Sequence, residues 1–156
     1  MTSEHGMPLP GPAAGQPVSW AIFALARAHR ALATELLAEH GLFPGQELTL
    51  FYLWENDGIP QKQLVDALRL DHSTIAKSVR RLEEAGLVRR VKSSADGRVS
   101  LVSLTPAGRA LRAPIEAVWQ ELEDRTTAHL SADQGAAFVS LADAVLAGID
   151  ADADDA

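Results

Sequence analysis

The 156-residue chain has the length of one domain with extensions, and its 47% apolar content is enough to build a core. It contains no cysteine, which excludes a disulfide scaffold, a thiolate zinc site, an iron–sulfur cluster, a catalytic Cys and thiol redox sensing. The net charge of −7 argues against a nucleic-acid partner only while its distribution is ignored.

Residues 1–17 carry Pro8, Pro10, Pro12 and Pro17 among three glycines and read as a disordered Pro/Gly arm, with no basic and apolar succession typical of a signal peptide. No unbroken apolar run reaches the roughly 18–20 residues of a membrane span, so the expectation is a soluble, cytoplasmic protein with no membrane partner. From Val18 to His40, Val18, Ile22, Leu25, Leu32 and Leu36 fall at helical spacing, and Gly41 stops the pattern. Pro44 suits the first turn of a second helix through Leu48, Phe51 and Trp54 to Asn56, closed by Asp57-Gly58.

Pro60 opens a short helix, Gln61–Leu68, with Leu64, Ala67 and Leu68 inward. After Arg69-Leu70, Asp71 is the N-cap of a helix from His72 to about Ala85, ended by Gly86. The period then changes. Residues 87–92 and 99–104 read as two strands joined by the turn-forming Ser93–Arg98. Thr105-Pro106 restarts a helix that runs to about His129 on Leu111, Ile115, Val118, Leu122 and His129, kinked at Pro114 unless its start lies later. Ser131-Ala132-Asp133-Gln134 is a capping box for a last helix with Phe138, Leu141, Val145 and Ile149 on one face; residues 150–156 read as a frayed acidic tail.

This order gives a mainly α fold with a small β-hairpin wing (α+β): a winged helix-turn-helix over residues 44–105, and a helical dimerisation lobe from 18–43 and 106–149. The outer helices carry apolar stripes that need covering, and a second copy of the chain is the candidate.

Charge supports a DNA-binding reading. Residues 60–98 hold nine Lys/Arg against five Asp/Glu, a balance of +4 inside an acidic chain. On a helical wheel of residues 72–85, Ile75, Val79 and Leu82 cluster on one side, and Ser73, Thr74, Lys77, Arg80 and Arg81 on the other. Short hydroxyls and cations on one exposed face suit base edges and phosphates. An amphipathic surface helix without a partner would show the same wheel; the basic hairpin that follows decides between them. There Arg98, just past Asp96-Gly97, is placed to enter the minor groove, and Asp96 to hold the guanidinium or the loop. Arg89, Arg90 and Lys92 alternate along a strand, some toward phosphate and others toward solvent or acidic neighbours.

The residues Gln63–Leu68, Ser73-Thr74-Ile75, Val79, Arg81-Leu82-Glu83, Gly86-Leu87-Val88, Arg90, Asp96-Gly97-Arg98, Val102–Thr105 and Gly108 resemble the MarR family of bacterial transcription regulators. The resemblance implies a homodimer in which terminal helices interlock and each subunit offers one winged helix to a pseudo-palindromic operator in double-stranded DNA. The family's recognition positions fall on Ser73, Thr74, Lys77, Ser78 and Arg81, and its wing arginine on Arg98 with Asp96 beside it. Three departures stand out: Val65 replaces a small residue, Ser93-Ser94 replaces Asp-Pro, and Gly97 stands where a cation is frequent. The last two imply a looser, less charged wing tip.

The resemblance further implies a repressor released by a small aromatic or anionic effector. Trp20, Phe23, Arg27, Phe51, Trp54 and Trp119 are the candidate ligand-binding residues, with Arg27 the cation for a carboxylate; ordinary core or dimer-interface roles remain open for each. The alternatives are a regulator with no small-molecule effector, one with a metal effector, and a winged helix that docks proteins instead of DNA. For the metal, His29, His40, His129, Glu35 and Glu39 are available but show no His-x3-His spacing, so no metal site and no cofactor is assigned. No phosphate loop, nucleophile elbow or His-Glu-x-x-His occurs, and the chain does not read as an enzyme.

Overall fold

The computed structural model describes residue 11 and residues 14–154. Within these, the elements are α1 (Pro17–Ala38), α2 (Gln46–Glu55), β1 (Ile59–Pro60), α3 (Gln61–Leu68), α4 (His72–Glu84), β2 (Val88–Lys92), β3 (Ser100–Leu104), α5 (Pro106–Ala110), α6 (Arg112–Thr127) and α7 (Ala132–Asp154). They divide into two compact units, Met1–Trp119 and Gln120–Ala156.

In the first unit the core lies between α2, α3, α4 and the sheet. Leu50 and Leu53 of α2, Leu64 of α3, Ile75, Val79 and Leu82 of α4, and Ile115 of α6 are fully buried, with Val88, Val102 and Leu104 from the strands almost so. Each such aliphatic side chain contributes about 1.5–3 kcal/mol by leaving water. The antiparallel sheet has the order β1-β3-β2. Val88 faces Leu104 and Lys92 faces Ser100 across β2 and β3, while Ile59 pairs with Val102 on the other edge. The sequence pattern predicts only a two-stranded hairpin, because β1 is two residues long and holds a proline, too little to show a strand pattern.

Helix ends follow local chemistry. The α4 terminus is a Schellman turn: Leu87 N–H donates to Leu82 O at 2.9 Å and Gly86 N–H to Glu83 O at 2.9 Å, with Gly86 at φ +72°. The capping box at α7 is present, with Ser131 N–H donating to Gln134 Oε1 at 2.8 Å and Gln134 N–H to Ser131 Oγ at 3.2 Å.

Several sequence expectations are corrected. Pro44 does not open α2. The helix starts at Gln46, where the Gln46 and Glu47 side chains accept from the Phe43 and Gly45 N–H groups, each at 2.7 Å. Its core face is Thr49, Leu50 and Leu53; Leu48, Phe51 and Trp54 are half-buried. Ala67 is exposed on α3. The helix expected from Pro106 to His129 is two: α5 ends at Ala110 and α6 begins at Arg112, so Pro114 sits harmlessly in a first turn. His129 lies beyond α6 and is exposed. Helix α7 continues to Asp154, so only residues 155 and 156 of the proposed tail lie outside the described residues, as does most of the 1–17 arm, whose Pro17 is the first residue of α1.

The expectation of no membrane-length segment is also corrected. Ala132–Asp150 is long and apolar enough to cross a membrane by length and composition, with mean hydropathy 1.2. Alanines and aliphatics raise the average although aspartates interrupt every long apolar run. A helix that buries its stripe in a protein assembly satisfies the same test.

Candidate nucleic-acid interface

The site is built on α4. Its buried stripe of Ile75, Val79 and Leu82 fixes the roll of the helix and leaves Ser73, Thr74, Lys77, Arg80 and Arg81 exposed, the face expected from the wheel. Arg69 in a left-handed conformation, φ +49°, ends α3 and turns the chain into α4. Asp71 caps the new helix by accepting Thr74 N–H at 2.9 Å.

The same carboxylate takes more. Ser73 Oγ donates to Asp71 Oδ1 at 2.6 Å, and Thr74 Oγ1 donates to Asp71 Oδ2 at 2.5 Å. Hydrogen bonds from the Ser73 and Thr74 hydroxyls, then from the Thr74 N–H, hold the Asp71 carboxyl far below the ordinary carboxylate range.

The remaining side chains differ in their surroundings. Lys77 is exposed. Arg80 pairs with Glu84 one turn on, at 3.0 Å and on the surface, a contact worth only a few tenths of a kcal/mol. The Arg81 guanidinium sits 5.3 Å above the Phe43 ring. Ser78 departs from the exposed face: it is half-buried and its hydroxyl meets Thr49 Oγ1 of α2 at 3.0 Å. Its place in the family motif does not make it outward; one step along the helix from Lys77 turns it toward α2.

In the wing, Arg89, Arg90 and Lys92 of β2 are all exposed, and Arg90 Nε approaches Glu83 at 3.4 Å. The connecting loop holds no proline and is bridged by its own side-chain hydrogen bonds. Ser93 Oγ accepts from Ala95 N–H at 3.2 Å and Asp96 N–H at 3.3 Å, and Asp96 Oδ1 accepts from Arg98 N–H at 3.0 Å. Of the two roles considered for Asp96, the structure places it on the loop backbone. The Arg98 side chain is exposed beyond it.

The candidate effector residues form separate aromatic contacts. Trp20 and Phe23 of α1 lie 5.5 Å apart. Phe51 contacts Trp54 at 5.5 Å and Trp119 edge-on at 5.0 Å, and the Trp54 indole donates to Gly108 O at 2.9 Å. Arg27 is exposed on α1. A cavity of about 180 Å³ opens instead beside α4, where Phe43, Pro44 and Gln46 face Thr74, Ser78 and Arg81. None of the six candidates lines it. Phe43, Thr49 and Gln46 were missed because a residue that braces a reading helix has no sequence signature of its own. Among the described residues no group of three or more His, Asp or Glu is placed to hold a metal ion.

A short helix, a left-handed turn, a capped cationic helix and a basic hairpin define a winged helix-turn-helix. The MarR family model matches residues 43–100. A probable transcriptional regulator from Pseudomonas aeruginosa is 32% identical, with TM-score 0.76 over 84% of this chain and 98% of that one. A mutant MarR from E. coli, solved complexed with operator DNA, is 26% identical, with TM-score 0.77 over 86% of this chain and 96% of its own. The HTH-type transcriptional regulator TtmR of Methylorubrum extorquens (strain PA1) is 36% identical over 97 residues, 62% of this chain; the chain spans about half, 50%, of that relative's length. The chain belongs to the MarR family, whose members are transcription regulators and not enzymes.

Proposed function

We propose that the chain is a homodimeric repressor that binds a pseudo-palindromic operator and leaves it when a small aromatic or anionic ligand binds. The observation that carries the DNA-binding part is the exposed edge of α4, where Ser73, Thr74, Lys77, Arg80 and Arg81 stand clear of a fully buried opposite stripe. In this reading that edge enters the major groove, Ser78 steadies it from the α2 side, Arg90 meets phosphate and Arg98 reaches the minor groove beside Asp96.

The dimer is supported by apolar side chains that each helix leaves in water: Val18, Ile22, Phe23 and Leu25 on α1, and Phe138, Leu141, Leu146 and Ile149 on α7. In this reading residues 18–43 and 106–149 form the dimer lobe, residues 44–105 read DNA, and the protein works in the cytoplasm. The effector part rests on Phe51, Trp54 and Trp119 as an aromatic group, with Trp20, Phe23 and Arg27 brought to it in the assembly. A second reading, a regulator with no small-molecule effector, is favoured by the split of the candidate residues into two separate aromatic contacts, Trp20 with Phe23 and Phe51 with Trp54 and Trp119, none of which lines the cavity beside α4.

The test is selection of bound duplexes from a random pool, followed by a salt titration on the selected site. Enrichment of an inverted repeat, with affinity falling steeply as salt rises, supports the reading. A protein that enriches no sequence, or whose binding ignores salt, contradicts it. Phenolic and anionic compounds that release the selected duplex then decide the effector.

A further inference from the structure

The exposed hydroxyls at the start of α4 do not carry their protons toward solvent. A Ser or Thr hydroxyl has one proton to donate, with lone pairs left to accept. Ser73 and Thr74 both spend that proton on Asp71, on Oδ1 and Oδ2 respectively, while Oδ1 also caps the helix through Thr74 N–H. A carboxylate can only accept, so the direction of both bonds is fixed while Asp71 is ionised. Three donors converge on it, and their hydrogen bonds hold its carboxyl well below the ordinary carboxylate range.

We propose that Asp71 is a specificity-determining positioning residue: by taking the Ser73 and Thr74 hydroxyl protons, it presents both side chains to the major groove as acceptors only. Cytosine offers an N4 amino donor there and adenine an N6 amino donor, whereas guanine O6/N7 and thymine O4 are acceptors. An unconstrained hydroxyl reads either kind of edge; these two favour cytosine or adenine at the contacted positions. Asp71 therefore acts on base choice without touching a base. The inference rests on the reading that this edge of α4 meets base edges.

The test compares base profiles of duplexes selected by the wild-type protein and by Ser73→Ala, Thr74→Ala and Asp71→Asn. The alanine variants locate the positions that the hydroxyls read. Asparagine is as good an N-cap as aspartate but offers a single acceptor oxygen, and its amide donates, so at least one hydroxyl is released or reversed. At the located positions Asp71→Asn is expected to shift the ratio of cytosine or adenine to guanine or thymine by about three- to tenfold, the range of one net hydrogen bond. Normalising within each profile removes the general gain in affinity from deleting a negative charge near DNA. Asp71→Ser, which also caps but cannot hold both protons, serves as the second variant if Asp71→Asn does not fold, and is expected to shift the same positions. If the alanine variants alter base preference while Asp71→Asn or Asp71→Ser reproduces the wild-type profile, the role of Asp71 is overturned and the interface stands. If neither alanine variant alters any position, base reading by these hydroxyls is overturned as well.

Discussion

Asp57 and Arg109 lie 52 positions apart and meet at 2.6 Å, closing a ring around the end of β3. The other Asp57 oxygen accepts Leu104 N–H at 2.8 Å and Ser103 Oγ at 3.1 Å, and Arg109 Nη1 donates to Leu104 O at 2.9 Å. The ring ties the loop after α2 to the strand that centres the sheet and to α5. The ion pair itself is solvated, with side-chain exposures of 54% and 31%, so the bond to the Leu104 N–H matters more. Asp57→Asn keeps an acceptor for that N–H and is expected to cost under about 1 kcal/mol, whereas Asp57→Ala strands it and costs about 1–3 kcal/mol. Urea unfolding of the two variants reads the difference. Equal losses would assign the stability to the charge.

Gly108 marks a close approach of α5 to the start of β2. A Cβ placed there would lie 2.0 Å from the backbone oxygen of Leu87, which cannot move without disturbing the Thr105 N–H bond it accepts at 3.0 Å. Gly108→Ala is expected to destabilise the protein by more than about 2 kcal/mol, or to prevent folding. Gly135→Ala is the contrast: a Cβ there meets nothing within 4 Å, and the replacement is expected to stabilise α7 by about 0.5–1 kcal/mol. Thermal unfolding of the pair checks both signs.

The reading helix was legible in the sequence because its two faces obey one period: Ile75, Val79 and Leu82 are buried where the wheel put them, and Asp71 caps where a short acceptor precedes the apolar run. Gly86 and Thr105-Pro106 were equally plain, since backbone geometry selects those residue types. The face of α2 was not. Its aromatic residues suggested a stripe, yet Thr49 and Glu47 are buried and Phe51 and Trp54 lie at the edge. Polar burial depends on partners far away in sequence, here Ser78 for Thr49. The proton direction of Ser73 and Thr74 was hidden for the same reason: the sequence shows a hydroxyl-rich edge, and only geometry shows where the hydroxyls point.

Glu47 predicts an unusual pH dependence. Burial pushes its carboxyl above the ordinary value, opposed by its own N–H, the Gly45 N–H and the Arg30 charge. The folded state therefore holds this proton more tightly than the unfolded chain. Its contribution to stability is fully present below the unfolded pKa and is lost as pH rises through the folded one. Glu47→Gln keeps an acceptor oxygen for Gly45 N–H and never ionises. Its stability relative to the wild type is expected to rise as pH increases across that window and to level off above it. Denaturant unfolding of both proteins at a series of pH values gives the difference curve; a flat curve would mean that Arg30 and the N–H groups cancel the burial.

The proposed wing contact separates from the proposed base-reading contact by its salt response. Arg98 lies past a loop that Ser93 and Asp96 hold through backbone N–H groups, so its side chain can be removed without losing those bonds. A cation in the minor groove acts chiefly through the phosphate charge that every duplex carries, with a narrow A-tract groove strengthening the attraction. Arg98→Ala is therefore expected to weaken binding to selected and unrelated duplexes alike, and to reduce the slope of log affinity against log salt by about 1. Lys77→Ala, on the edge of α4, is expected to lower affinity for the selected site more than for unrelated DNA. Fluorescence anisotropy at several salt concentrations measures both. An Arg98→Ala protein with unchanged affinity and slope would leave the wing without a part in binding, and the family likeness of Asp96-Gly97-Arg98 would then reflect turn geometry alone.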